Sequence, residues 1–310
     1  MTSSGAKIAS AKAAADEGWL DRWGKRSTPQ FAQFITWLLL GIALFMVCLS
    51  PEIVDPAEWP RQGPSTALSW LPKNMLDWPS LYWLLRGVLV VGAALWFWQR
   101  FLPWSCWLTV LGFTALWSLH VENCWHTNHC FHLANNLLII QAIWMTSCAA
   151  EIQAAIRERR YWTTPLVPAW VTLAAVAYIG IFHTAAGLSK LSFSGLGWAN
   201  GTSLQLWTHL WGRPWSPTTQ MILGSRTFTQ GLQMLTLVVE TGGVLAIFPR
   251  LRTWIGLATV GFYLGVIATF DFGFQFNLLF TALYLLPVEA WILARAQAQR
   301  PSDESPAVSK

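Results

Sequence analysis

Charge is what this sequence has least of. Asp, Glu, Lys and Arg make up 11% of its 310 residues, against about 25% in a typical soluble domain. With 54% of the chain hydrophobic, that deficit excludes an ordinary water-soluble globule and points to a membrane. Other absences narrow the class further. The net charge of +5 comes with no basic stripe interleaved with aromatic residues, so it does not indicate nucleic-acid binding. The basic residues stand instead at the ends of apolar runs. There is no internal repeat, and no pair of Gly- or Pro-broken apolar segments at matching places in two halves, which weakens a transporter reading. Residues 1–30 have no apolar core and no small-residue cleavage site, so no cleavable leader is expected.

Tryptophan is in excess, at 22 residues. Its ring is apolar and its N–H needs a wet partner, so Trp collects at membrane–water interfaces. Most of these residues are expected in such a belt, with a ring-lined pocket for a flat ligand as the other reading.

Eight apolar segments are legible, at 31–49, 80–99, 104–120, 131–149, 165–183, 228–248, 253–270 and 275–294. Each approaches the roughly 20 residues a helix needs to cross about 30 Å of hydrocarbon. The expected fold is an all-α, polytopic membrane bundle of about eight transmembrane helices. With the N-terminus inside and strict alternation, fourteen Lys and Arg fall inside and five outside, as the positive-inside rule requires. Arg86 is left within a span. An even number of spans returns the C-terminus to the inside. The tails, 1–30 and 296–310, are expected to be disordered and cytoplasmic, flanking a transmembrane domain at 31–295. Of the long outer segments, 50–79 is expected to lie along the surface. The other, 184–227, is expected to hold a short re-entrant or interfacial helix around Leu188–Leu191 and another around 200–211. A bacterial inner membrane is the default location, the lipid bilayer the first partner, and nucleic acid is not expected as one.

Polar residues within so apolar a chain are candidates for chemistry. All six His fall on the outer side in this topology, densest in "LHVENCWHTNHCFH" (119–132). Imidazole and thiolate groups ligate zinc and copper, but the spacing of His126, His129 and His132 fits no standard ligand pattern. No metal site is assigned, and a solvated loop is the plainer reading. Cys124 and Cys130, six apart on the outer side, leave a disulfide or two free thiols open. Glu240 lies inside segment six, where a carboxylate is costly and faces the bundle interior; a structural partnership with Arg86 is one reading and a catalytic part another. Lys190 is a lone amine in "HTAAGLSKLSFSGLGWANGTSLQLW" (183–207). It reads either as an interfacial anchor that snorkels to the headgroups or as a base in a dry pocket, since burial disfavours the ammonium.

Four stretches occur in a suggestive order: "YWLLRGVLVVGAAL", "TNHCFHLANNLLIIQAIW", "YIGIFHTAAGLSKLSFSGLGWANGTSL" and "VVETGGVLAIFPRLR". Together, over roughly 80–290, they resemble the horizontally transferred transmembrane (HTTM) domain family, whose known enzyme is the vitamin K-dependent γ-carboxylase. The matching positions are Arg86, Asn128-His129, Tyr178, Gly187, Lys190-Leu191, Trp198, Gly201 and Glu240. The resemblance implies that Lys190 is a base toward a quinol, a vitamin K-like cofactor, with His129 assisting. It places Arg86, Asn128, Tyr178, Trp198 and Glu240 in binding or structural support. The sequence departs from the family at Tyr263, where a His is usual. The carboxylase also has a large lumenal C-terminal part, whereas this chain ends about fifteen residues after its last expected span. A quinol-oxidising, carboxylase-like lyase with another substrate is thus one expectation. The other is a non-enzymatic membrane partner that matures a secreted peptide, an operon partner protein.

Overall fold

The structure is a computed structural model that describes residues 27–49, 79–123, 131–270 and 274–290. The described residues form eleven α-helices: α1 (Pro29–Cys48), α2 (Pro79–Phe97), α3 (Trp104–Asn123), α4 (His132–Ser147), α5 (Ala149–Arg157), α6 (Ala169–Ser194), α7 (Thr202–Trp211), α8 (Pro217–Gly224), α9 (Arg226–Thr241), α10 (Pro249–Thr269) and α11 (Gln275–Leu285). Short 3-10 turns follow α6 at Gly195–Ala199 and α9 at Gly243–Ile247. No β-strand occurs among the described residues; the one extended pairing is an isolated bridge between Gly212 and Phe270.

Four helical stretches are long and apolar enough to cross a membrane: Pro29–Cys48, Ser80–Phe97, Ala169–Ala199 and Pro249–Thr269. A fifth is added if α4 and α5, bent by 79° at Cys148, count as one span. This is a multi-pass membrane protein by helix length and composition. The expected segments and the helices differ in informative places. Segment six is not one helix: α9 ends at Thr241 and the Gly242-Gly243 pair begins a 3-10 turn, because glycine is the poorest helix former after proline. Segment eight is interrupted as well: α11 ends at Leu285, the chain bends at Leu286 and Pro287, and helix resumes over 288–290. Residues around Leu188–Leu191 form no separate interfacial helix. They continue α6 without a break to Ser194, which at 1.5 Å per residue makes α6 about 39 Å long. Nothing in "HTAAGLSKLSFS" breaks a helix, and Gly195 at φ 56° terminates it. The helix expected around 200–211 is α7.

Local chemistry sets several starts. Thr28 caps α1, its hydroxyl accepting from Phe31 N at 3.4 Å, with Pro29 at the first position where its missing N–H costs nothing. Ser225 caps α9 in the same way, accepting from Phe228 N at 3.2 Å. Residues 27–30, read from sequence as tail, belong to the bundle. Residues 1–26 and 296–310 lie outside the described residues, as does almost all of the 50–79 segment.

Which helix ends meet is clear from the contacts. At one end Ser27 N donates to Val167 O at 2.8 Å, Ser27 Oγ lies 3.1 Å from Thr172 Oγ1, and Thr28 N donates to Glu289 Oε1 at 2.7 Å. The starts of α1 and α6 and the chain beyond α11 therefore share that end. At the opposite end Tyr82 Oη lies 2.6 Å from Leu49 O and 2.9 Å from His120 Nε2. There too Phe276 packs on Phe45 and Phe131 with ring centroids 5.5 and 5.4 Å apart. Helices α7 and α8 are stitched to the last turn of α10: Arg213 N donates to Thr269 O at 2.8 Å and Ser216 Oγ to Ala268 O at 2.7 Å.

Candidate site at the α6–α9 crossing

Helix α6 presents Gly180, His183, Gly187 and Lys190 at spacings of three, four and three, which places them on one face. That face lies against α9 and the 3-10 turn after it. The two backbones come very close: a Cβ built on Gly187 would stand 2.7 Å from Thr241 N, and one on Gly243 would stand 2.7 Å from Gly180 O. Only glycine permits this approach. Thr184 then bridges the turn, its hydroxyl donating to Thr241 O at 3.3 Å while accepting from Val244 N at 2.8 Å.

The crossing delivers Lys190 onto Glu240. Lys190 Nζ donates to Glu240 Oε1 at 2.5 Å and also to Oε2. The carboxylate side is almost sealed, at 5% exposure, while the lysine side chain is 27% exposed. Behind α6 the chain reverses at Gly195, and Trp198 returns with its ring centroid 5.1 Å from Nζ. A cation over an indole face is stabilised by the ring quadrupole. The return is held by Gln233 of α9, which donates to Trp198 O at 3.0 Å and accepts from Gly201 N at 2.6 Å. Gly201 sits at φ 87°, a left-handed conformation that glycine adopts without steric cost.

Of the residues singled out from sequence, the structure thus brings together Lys190, Glu240, Trp198, Gly187 and Gly201. It separates two others. Arg86 does not pair with Glu240. Its guanidinium donates to Leu49 O and, at 3.2 Å, to Tyr82 Oη, and it lies over the Tyr82 and Trp83 rings at 4.3 and 4.9 Å. It closes the C-terminal end of α1, where a cation complements the helix dipole. A carboxylate fifteen residues into α9 was the nearest opposite charge that sequence offered, but α2 packs with α1 and α3 while α9 packs with α6, α7 and α8. Tyr178 is also apart, twelve residues before Lys190 on α6 and so about 18 Å along the axis. Its hydroxyl lies 2.7 Å from His132 Nδ1 and accepts from Asn136 Nδ2 at 2.8 Å. Asn128, His129, Cys124 and Cys130 lie outside the described residues. Among the described residues, no group of three or more His, Cys, Asp or Glu side chains is placed to hold a metal ion.

Sequence reasoning named His132 only within a possible metal cluster and Tyr263 only as a departure from the family, and it missed Asn136 and the pairings His183–Tyr263 and His132–Tyr178. His183 is buried, with Nε2 3.3 Å from Tyr263 Oη. One signal was available: His183 falls on the same α6 face as Gly187 and Lys190. Tyr263 and Asn136 sit on other helices, beyond the reach of that spacing.

The arrangement is a lysine–carboxylate pair in an apolar bundle, sealed on the acid side and open on the amine side. Such a pair can share a proton, orient a weakly acidic group, or hold two helices together. No family model, no curated protein and no solved structure matches the chain.

Proposed function

We propose that this chain is an eight-pass protein of a bacterial inner membrane, with both termini inside, in which Lys190 and Glu240 form an outward-facing proton-transfer site for a flat apolar molecule bearing a weakly acidic hydroxyl, a quinol by class. The eight-pass reading is supported by the helix ends that meet: the starts of α1 and α6 lie together with the chain beyond α11, and the end of α1 lies with the start of α2 and the end of α3, as alternating passes require. The site reading is supported by one observation above the others. The amine of a buried ion pair is the part left accessible, and it faces a ring, Trp198, next to exposed Phe193 and Leu196. Those groups suit a flat apolar ligand.

The pairing refines the role that the HTTM resemblance implies for Lys190. An ammonium held by a carboxylate is a poor base by itself. The pair as a unit accepts one proton from the hydroxyl, and Lys190 then holds the anion left behind by charge and hydrogen bonding. Substituting Lys190→Ala and Glu240→Gln, and following quinol oxidation in membranes, tests the reading; turnover equal to wild type in both variants refutes it.

A second reading has its own support. Lys190 and Glu240 satisfy each other, and a satisfied pair needs no ligand. The chain would then be a non-enzymatic membrane partner in the maturation of a secreted peptide. A stoichiometric protein that co-purifies with the chain, with no bound quinone detected by native mass spectrometry, favours this alternative.

A further inference from the structure

Polar groups do not stop at the ion pair. They continue through the bundle toward its other end. His183 lies two turns before Lys190 on the same face of α6, within Coulombic reach of the ammonium, and meets the buried Tyr263 hydroxyl of α10. Asn277 of α11 stands beside that hydroxyl. On α11, Asn277, Thr281 and Tyr284 recur at spacings of four and three, and all three are buried. Gln141 of α4 stands beside the Tyr284 hydroxyl, and α11 packs against α4, α6 and α10. Past Tyr284 lies Glu289, partly exposed, which accepts the Thr28 N–H at the end of the bundle remote from Tyr82 and Phe276.

This seam is expensive. An amide or hydroxyl taken out of water without a hydrogen bond destabilises the fold. Gln141 Oε1 and Thr281 Oγ1 are buried with no hydrogen-bond partner among the described residues. Leu or Val at these positions would pack α11 on α4 at no such cost. Ionisable side chains inside a membrane bundle, here Lys190, Glu240 and His183, mark ion or proton routes, and internal water is the usual partner of buried polar atoms of this kind.

We propose that this seam conducts protons across the bundle, from the Lys190–Glu240 pair through His183, Tyr263 and Thr281 to Tyr284 and the Glu289 end. Each hydroxyl accepts a proton on its oxygen from one side and releases its own to the other. His183 accepts on one ring nitrogen and releases from the second. One proton enters and one leaves, and no bond between heavy atoms changes. Asn277 and Gln141 carry no proton; their amides orient the hydroxyls and water between them. This function goes beyond the quinol reading and does not depend on it, because conduction needs no bound molecule.

The full chain, reconstituted in phosphatidylethanolamine–phosphatidylglycerol vesicles loaded with a pH-sensitive dye, tests the proposal. A potassium diffusion potential set by valinomycin supplies the driving force. The expected result is proton entry several-fold faster than in protein-free vesicles, unchanged in the exposed-site control Ser192→Ala, and returned to background by Tyr263→Phe and by Thr281→Val. Both of these remove little more than a hydroxyl, and circular dichroism and gel filtration check their folding. Proton entry at the protein-free rate overturns the proposal. So does entry that both variants leave intact, or entry accompanied by equal sodium leak. Proton flux without quinol turnover, or turnover without flux, separates this proposal from the catalytic one.

Discussion

Lys190 and Arg86 are both single cations on apolar helices, and the bundle treats them differently. Lys190 meets a carboxylate on a neighbouring helix across a glycine-lined crossing. Arg86 meets no carboxylate among the described residues; it meets a backbone carbonyl, a phenol and two ring faces. The difference follows from the chemistry of the two groups. A guanidinium never gives up its proton in a protein and offers five donors in a fixed fork, so it suits a permanent brace at the end of α1. An amine can exchange its proton, and its Glu240 partner can as well, so that pair can change state. Of the two regions, only the α6–α9 crossing has the makings of chemistry.

Breaking the pair gives the largest expected effect. Glu240→Ala leaves the ammonium uncompensated beside an apolar surface, and Lys190→Ala strands a carboxylate that is almost sealed. Each is expected to cost about 3 kcal/mol, read from denaturant unfolding in detergent micelles. The double variant Lys190→Met/Glu240→Leu is expected to recover to within about 1 kcal/mol of wild type. A double variant as unstable as the sum of the two singles would show that these residues do not interact.

The crossing itself comes next. Gly187→Ala forces a Cβ against the Thr241 amide, and backbone cannot yield as a flexible side chain does. A loss of about 2 kcal/mol is expected, with quinol turnover, if present, falling along with it because Lys190 moves off Glu240. Wild-type stability in this variant would mean that the α6 and α9 backbones do not touch at Gly187 and Thr241.

At the other cation the effect is smaller. Arg86→Met removes the donors to Leu49 O and Tyr82, for an expected loss of about 1–2 kcal/mol. Proton flux and turnover should stay at wild-type levels, which is what sets a brace apart from a site. Arg86→Lys keeps the charge and should recover part of the loss.

The smallest effect is expected at the second ion pair, outside the bundle. Arg160 donates to Glu158 and holds its carboxyl below the ordinary value of 4.5. With the native value lowered, the contribution to stability is present above the unfolded value and vanishes as pH falls through the native one. Both groups are exposed, so Glu158→Gln should lower the melting temperature only slightly near neutral pH, less so in high salt, and not at all in acid. A difference that grows on acidification would reverse the assigned sign.

Parts of this picture were legible in residues alone. The Lys190 and Glu240 positions stand out because charge within apolar runs is rare; the stripe of Gly180, His183, Gly187 and Lys190 emerged only once α6 was seen to run unbroken through Lys190. Their partnership was not legible. Arg86 and Lys190 were both available to Glu240, and fifty residues separate Lys190 from it. Nor was the extent of α6, since apolarity marks where a helix can cross hydrocarbon and is silent on where a polar continuation stops. The Gly242-Gly243 break was visible in the sequence but read as part of a continuous span, because hydropathy does not register backbone preference.

Composition by itself determined that this chain belongs in a membrane and forms helices there: hydrocarbon offers no partner to a backbone amide, so each span must satisfy its own. Which polar groups meet was decided only by tertiary structure. Hydropathy sets depth and helicity, whereas rotation and crossing depend on where small residues let two backbones touch. The glycines of α6 and the turn after α9 made that choice, and with it the neighbour Lys190 received.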